Sequence, residues 1–221
     1  MKSHGCSSEM QLFRNRDKVA QVADLEIGSH MQNILIQSNK ILDVWPGRSY
    51  SFLMAVVTQT PQLVGRLVLR RFHPGDEKPF KELNEAWISR DFEIEPGDRE
   101  VLGDPRGKIL DKGGQICLAE LNGVVVGCCA LVPIGPREFE LAKMTVSEAA
   151  RGQGIGRRLL VFAIAIARVL RARRLYLESN TKAAAAVHLY EELGFRHMVA
   201  EHASKYARAN VFMEMFFPEP D

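Results

Sequence analysis

Apolar and polar positions follow two different rhythms along this chain. LVGRLVLRRF (residues 63–72) is rich in branched residues and stops at HPGD, which predicts a strand ended by a turn. In EKPFKELNEAWISRDF, Phe80, Leu83, Trp87 and Ile88 recur at helical spacing and predict an amphipathic helix. Residues 95–114 are dense in Gly, Pro and Asp and read as a long loop with one short helical turn. QICLAEL and VVVGCCALVPI, joined by Asn122-Gly123, predict a β-hairpin. REFELAKMTV (137–146) predicts a further strand after the Gly135-Pro136 turn. RRLLVFAIAIARVLRARR (157–174) predicts a long helix with Leu159, Leu160, Ala163, Ile164 and Ala167 on its apolar face. Its last turns carry Arg168, Arg171, Arg173 and Arg174, which suit the negative end of the helix dipole or a solvated helix end. LYLES (175–179) reads as a strand and NTKAAAAVHLYEELG (180–194) as a helix, capped by Asn180 or Thr181 and closed by Gly194. FRHMV and NVFMEMFF end the pattern as two strands.

This order predicts one mixed α/β domain over residues 62–221, preceded by a poorly patterned extension over 1–61. In the extension, residues 10–27 have room for a short helix and 34–41 form a weak apolar patch. At 221 residues and 46% hydrophobic, the chain can bury one core with a small appendage. A net charge of +2 gives no argument for a nucleic-acid partner. The longest apolar run of the extension, SFLMAVV (51–57), falls far short of the roughly 18 residues of a membrane span. With no secretory pattern at the start, the expected compartment is the cytoplasm and no membrane partner is expected. Cys6, Cys117, Cys128 and Cys129 show no metal-ligand spacing, so no metal is expected. Alternation sends the adjacent Cys128 and Cys129 to opposite faces of a strand, as reduced, buried small hydrophobes.

The chemistry concentrates in RGQGIGRRLL (151–160), a glycine-rich turn ahead of a helix. Such a turn converges backbone N–H groups on a phosphate. A P-loop needs a Gly-Lys-Ser/Thr ending, and Arg157-Arg158 stands there instead. A dinucleotide fingerprint has Gly152, Gly154 and Gly156 after a strand, and Glu178 about twenty residues on as a ribose ligand. Its third glycine position, however, is Arg157, and the motif comes too late for a doubly wound sheet. What remains is Arg151-x-x-Gly154-x-Gly156, which suits amides converging on a pyrophosphate or a glycine-rich turn into a helix with no ligand.

That pattern resembles motif A of the GNAT N-acetyltransferase superfamily. NTKAAAAVHLYEELGF is similar to its motif B, with an asparagine at a strand end, a Leu-Tyr pair and a terminal Leu-Gly-Phe. The resemblance covers residues 63–217. It implies a central, mostly antiparallel α+β mixed sheet, splayed at the coenzyme site and flanked by helices. It also implies acetyl-CoA as cosubstrate and transfer of the acetyl group to a primary amine of a small molecule or peptide, by direct attack in a ternary complex. A non-catalytic acyl-CoA sensor and the use of another acyl donor stay open beside it.

The resemblance assigns coenzyme contacts to Met144, Thr145 and Val146 on the splayed strand and to Arg151, Gly152, Gln153, Gly154, Ile155, Gly156 and Arg157 in the turn. Asn180 would bond the pantetheine or order the strand end; a plain helix cap is the alternative. Tyr190 matches the motif B tyrosine and would protonate the leaving thiolate, though a tyrosine beside Val187, Leu189 and Leu193 also suits a core position. Glu140 stands where a glutamate base is placed in the histone-acetylating branch. Alternation puts it on a face with Ala142 and Met144, apolar surroundings that would raise its pKa. Pairing with Lys143 or Arg137 is the alternative, and Glu93, Glu95 or a water chain could serve as base instead. Trp87 to Gly114 would border the acceptor, and its excess of acidic residues suits a cationic amine or plain solvation. NVFMEMFF is apolar enough to pair two copies into a homodimer.

Overall fold

The computed structural model describes residues 65–200 and 203–218. The expected helix at 10–27, the patch at 34–41, the run at 51–57, the 61/62 boundary and Cys6 lie outside the described residues. The elements run β1 (Leu67–Arg71), α1 (Glu77–Asp91), α2 (Pro96–Gly103), a π turn (Arg106–Leu110), β2 (Gln115–Leu121), β3 (Val124–Gly135) and β4 (Glu138–Val146). A 3₁₀ turn (Glu148–Ala150) leads to α3 (Ile155–Val169) and β5 (Arg174–Ser179). A second 3₁₀ turn (Thr181–Ala183) leads to α4 (Ala184–Glu192), β6 (Arg196–His197) and β7 (Val211–Phe216). The strands form one 7-stranded sheet in the order β1-β2-β3-β4-β5-β7-β6, with only β4 and β5 parallel. This is the mixed, mostly antiparallel α/β architecture expected.

The Asn122-Gly123 signal holds: φ is 52° and 82°, the two positive values that a type I′ hairpin requires. The expected loop at 95–114 does not. Glu95 and Asp98 form a reciprocal capping box around Pro96 at the first helical position, and α2 follows. The Pro, Gly and Asp that read as loop are a helix start. The arginines assigned to the end of the long helix also move. α3 stops at Val169, Arg171 turns the chain at φ 55°, and Arg174 already belongs to β5, where it pairs with Glu214 at 2.9 Å.

Both faces of the central strands are covered, which is why β2 and β3 read as nearly continuous apolar runs. On one face Phe80 and Ile88 of α1 and Leu102 of α2 pack with Ile116, Leu118, Cys128 and Ala130. On the other lies α3: a Cβ at Gly127 would sit 3.4 Å from both Leu159 and Ala119. Truncating Phe80 or Ile88, both fully buried, to alanine would cost about 2–5 kcal/mol. Asn84 ties α1 to the sheet, donating to the Cys128 Sγ at 3.2 Å. Cys117, Cys128 and Cys129 are free and buried, and desolvation pushes the Cys128 thiol up to about 12. No helix among the described residues is long and apolar enough to cross a membrane.

Candidate active site

β4 pairs with β5 only from Glu138–Glu140 to Arg174–Tyr176; past that point the two strands part. A cavity of about 400 Å³ opens in the gap. Its walls are β4 from Glu140 to Val146, the end of β5, the start of α4, Trp87 and Phe92 at the end of α1, and Tyr206 and Arg208 before β7.

The glycine turn stands beside this gap. Gly152 and Gly154 have φ of 75° and 71°, and Gly154 caps α3 with no side chain closing the helix end. The first bond of the helix runs from the Arg158 N–H to the Gly154 carbonyl at 3.2 Å. The amides of Ile155, Gly156 and Arg157 therefore have no helical carbonyl to meet, at the positive end of a 15-residue helix. That arrangement suits a phosphate. Arg158 closes the turn from behind, donating to the Gln153 carbonyl at 2.9 Å, and Arg151 Nε donates to the Val146 carbonyl at 3.2 Å. Arg157 pairs with Glu192 of α4 and so links the two helices.

Of the residues singled out from sequence, Glu140, Met144, Thr145, Val146, Arg151, Asn180 and Tyr190 line the one cavity. Gly152 to Arg157 form the turn next to Arg151. Tyr190 is 6% exposed and meets Phe195 edge to face at 5.9 Å between centroids. No group among the described residues hydrogen-bonds its hydroxyl. Burial, helped by the Cys129 thiol, raises its pKa above the ordinary tyrosine range. Asn180 works as a cap: its Oδ1 accepts the Lys182 N–H at 2.8 Å, and its amide donates to the Arg208 carbonyl.

The carboxylates depart most from expectation. Glu140 does not sit in purely apolar surroundings: its Oε2 lies 3.2 Å from Lys205 Nζ, a cation overlooked in the sequence. The regular alternation with Met144 also fails, because Lys143 adopts φ 53° and forms a bulge. Glu95 is occupied by the Ala207 N–H and by Arg208, at 2.9 and 2.8 Å. Asp98 is fully buried. Its carboxylate takes Lys143 Nζ at 2.6 Å and both terminal nitrogens of Arg208 at 2.7 and 2.8 Å. Burial alone would raise the Asp98 pKa, but the bonds from Arg208 and Lys143 prevail and hold it below its ordinary value. Of the acidic run, Glu95 and Asp98 thus turn inward onto Lys143 and Arg208, while Asp91, Glu93, Glu100 and Asp104 are exposed. Besides Glu140, the cavity receives Glu178, which has no cation partner among the described residues. It accepts bonds from Tyr176 Oη at 3.0 Å and from Ser204. Sequence reading missed Tyr206, Arg208 and Lys205. The one signal was the cationic and aromatic alternation of SKYARA between two strand patterns.

A model of the acetyltransferase (GNAT) family matches residues 77–195. The chain belongs to this family. It is similar to the uncharacterized N-acetyltransferase YjgM of Escherichia coli (strain K12), 37% identical over 84 residues, which are 37% of this chain and 50% of that one. It is also similar to N-acetyltransferase 8F1 of Rattus norvegicus, 29% identical over 153 residues, 67% of this chain and 62% of that one. The chain thus spans half to about three fifths of the length of these relatives. Among solved structures, a GNAT acetyltransferase of Staphylococcus aureus Mu50 superposes with a TM-score of 0.62 at 22% identity, covering 68% of this chain and 99% of that one. The yncA protein of Salmonella typhimurium, solved with its cofactor acetyl-CoA, gives 0.57 at 20% identity over 70% of this chain and 95% of its own. The PaiA N-acetyltransferase of Thermoplasma acidophilum, in complex with coenzyme A, gives 0.57 at 17% over 69% and 99%. At these identities the structures share the GNAT fold with this chain. Among the described residues no cluster of His, Cys, Asp or Glu is arranged to hold a metal ion.

Proposed function

We propose that this protein transfers an acetyl group from acetyl-CoA to the primary amine of a small molecule or peptide, by direct attack of the amine on the thioester. The observation that carries this reading is the open, positively polarised turn at Gly152–Gly154, set beside a gap in the sheet that Tyr190 also lines. The coenzymes held by the yncA and PaiA structures support it. The turn would grip the pyrophosphate, with Arg151 and Lys182 at the cavity wall as further cations. The amine loses a proton to Glu140, its nitrogen bonds the carbonyl carbon, and a backbone N–H at Met144 or beside it meets the developing oxyanion. As the C–S bond breaks, the Tyr190 hydroxyl donates its proton to the thiolate, and the amide nitrogen sheds its second proton, which restores the tyrosine. Trp87, Phe92 and Tyr206 give the acceptor apolar walls, while Glu140 and Glu178 suit its ammonium form.

One observation favours a second reading of the base. Glu140 is held by Lys205, whereas Glu178 meets no cation among the described residues. Glu140→Gln should lower turnover by about a hundredfold or more with acetyl-CoA affinity kept; the same loss in Glu178→Gln alone would move the role to Glu178. For the function as a whole, acetyl-CoA should raise the melting temperature, and free thiol should appear only when an amine is added. No stabilisation by any CoA thioester would refute the reading. Stabilisation without turnover across amino acids, polyamines, aminoglycosides and peptide N-termini would make the protein an acyl-CoA sensor.

A further inference from the structure

Lys143 carries two burdens that a strand residue ordinarily avoids. Its φ of 53° places a non-glycine residue in the left-handed region inside β4. The other three described residues of that kind, Asn122, Arg137 and Arg171, all stand between elements, where the chain turns. Its ammonium is also buried, the side chain being 4% exposed. Glycine would avoid the first burden and a small apolar residue the second.

The register of β4 shows what is obtained in return. Thr145 stands opposite Cys128 and Ala142 opposite Ala130, so Lys143 and Met144 together face Cys129. This is a bulge, two residues against one, of the type whose left-handed position is usually glycine. A bulge sets which face each following residue takes, because a slip of one residue turns the rest of the strand over. Here the residues that follow are Met144, Thr145 and Val146, all on the cavity wall.

Lys143 is anchored from two sides. Its Nζ donates to Asp98 at 2.6 Å and to Tyr206 Oη at 3.0 Å. Asp98 is in turn fixed by Arg208 and by the Glu95 N–H at 3.1 Å, within the capping box that starts α2. The anchor therefore rests on a helix terminus and on the segment before β7, both outside the strand it holds.

We propose that the Asp98–Lys143 ion pair is a positioning device, which holds the Lys143 backbone in its left-handed conformation and so fixes the bulge and the facing of Met144, Thr145 and Val146. The proposal rests on the acetyl-transfer reading for the use of those residues, though not for the backbone claim itself. Glycine would adopt this φ without an anchor but would also visit many other conformations. An anchored lysine has one. Neither Lys143 nor Asp98 takes part in proton transfer in this scheme.

The test compares Lys143→Ala with Lys143→Gly, which lose nearly the same side chain and differ in their tolerance of positive φ. Asp98→Asn and the double variant Asp98→Asn/Lys143→Gly complete the set. Thermal melting, acetyl-CoA affinity and amine-dependent thiol release are measured for each. Lys143→Ala and Asp98→Asn should lose turnover by about tenfold or more, as misplaced groups do. Their acetyl-CoA affinity should fall by less than turnover does, since the contacts of Met144, Thr145 and Val146 shift while the glycine turn that grips the phosphates is untouched. Lys143→Gly, alone or with Asp98→Asn, should recover turnover to within about threefold of the native protein. It should also melt about 2–4 °C above Lys143→Ala, the reverse of the usual order of these residues. Native turnover in Lys143→Ala would overturn the proposal. So would a glycine variant as impaired as the alanine one, because the ammonium itself would then be what matters. Should the native protein neither bind acetyl-CoA nor release thiol, the acetyl-transfer reading fails. The melting order still decides the backbone claim, which an alanine variant as stable as the glycine one refutes.

Discussion

Tyr190→Phe separates chemistry from packing with unusual clarity at this site. The ring is 6% exposed and holds its edge-to-face contact with Phe195 at 5.9 Å, and phenylalanine keeps both. The hydroxyl has no hydrogen-bond partner among the described residues, so its removal leaves no partner unsatisfied. The expected stability change is within about 0.5 kcal/mol, or about 1–2 °C in a domain of this size. If the hydroxyl protonates the leaving thiolate, turnover should fall by about a hundredfold, the lower end of general acid catalysis, because a thiolate departs with only partial help. That is a barrier change of about 2.7 kcal/mol, several times the largest stability effect expected. Burial raises the Tyr190 pKa above its ordinary value near 10. The group thus stays protonated through neutral and mildly alkaline pH, and an alkaline limb below about pH 10 should not belong to it. Single-turnover thiol release with a saturating amine, alongside calorimetric titration of acetyl-CoA, measures both quantities. Turnover within twofold of the native protein at unchanged affinity would refute the assignment and leave Tyr190 as a core residue.

Gly154→Val should weaken acetyl-CoA binding by tenfold or more in the same titration. It forces a β-branched residue to φ 71°, at a strain of about 1–2 kcal/mol, where backbone must approach the phosphates. Asp98→Asn should change how stability responds to acid. The folded-state pKa of Asp98 lies below its unfolded value near 3.9, so its contribution is complete above about pH 5 and is lost as pH falls through the folded pKa. Breaking this buried pair should cost about 3–5 kcal/mol at pH 7, and the variant should lose less on going to pH 3 than the native protein does. Melting curves at the two pH values check it; parallel losses would mean that Asp98 is not the group that titrates.

The parts of this protein that were legible from sequence are those governed by local rules. Asn122-Gly123 announced its turn because both residues must take positive φ, and the glycines before α3 announced a turn that leaves the helix amides open. The place of Tyr190 on the cavity wall agrees with its setting in a second motif. The misreadings share a different cause. Glu95, Pro96 and Asp98 carry the composition of a loop, and only the reciprocal bonds of a capping box distinguish a helix start from one. Asp98 and Lys143 are 45 positions apart, and Asp98 and Arg208 are 110 apart. No periodicity connects such residues; the sheet brings them together. Charge counting along residues 87–114 left a cationic acceptor and plain solvation open; the fold gives Glu95 and Asp98 to Arg208 and Lys143 and leaves Asp91, Glu93, Glu100 and Asp104 exposed. The charge that reaches the cavity comes instead from Glu140 and Glu178, on the two strands that part. On the proposed acetyl-transfer reading, an acceptor would meet carboxylates held at the parting of β4 and β5 rather than carried on a loop. On that reading the bulge at Lys143, just past that parting, is the element on which acceptor and thioester geometry would jointly depend.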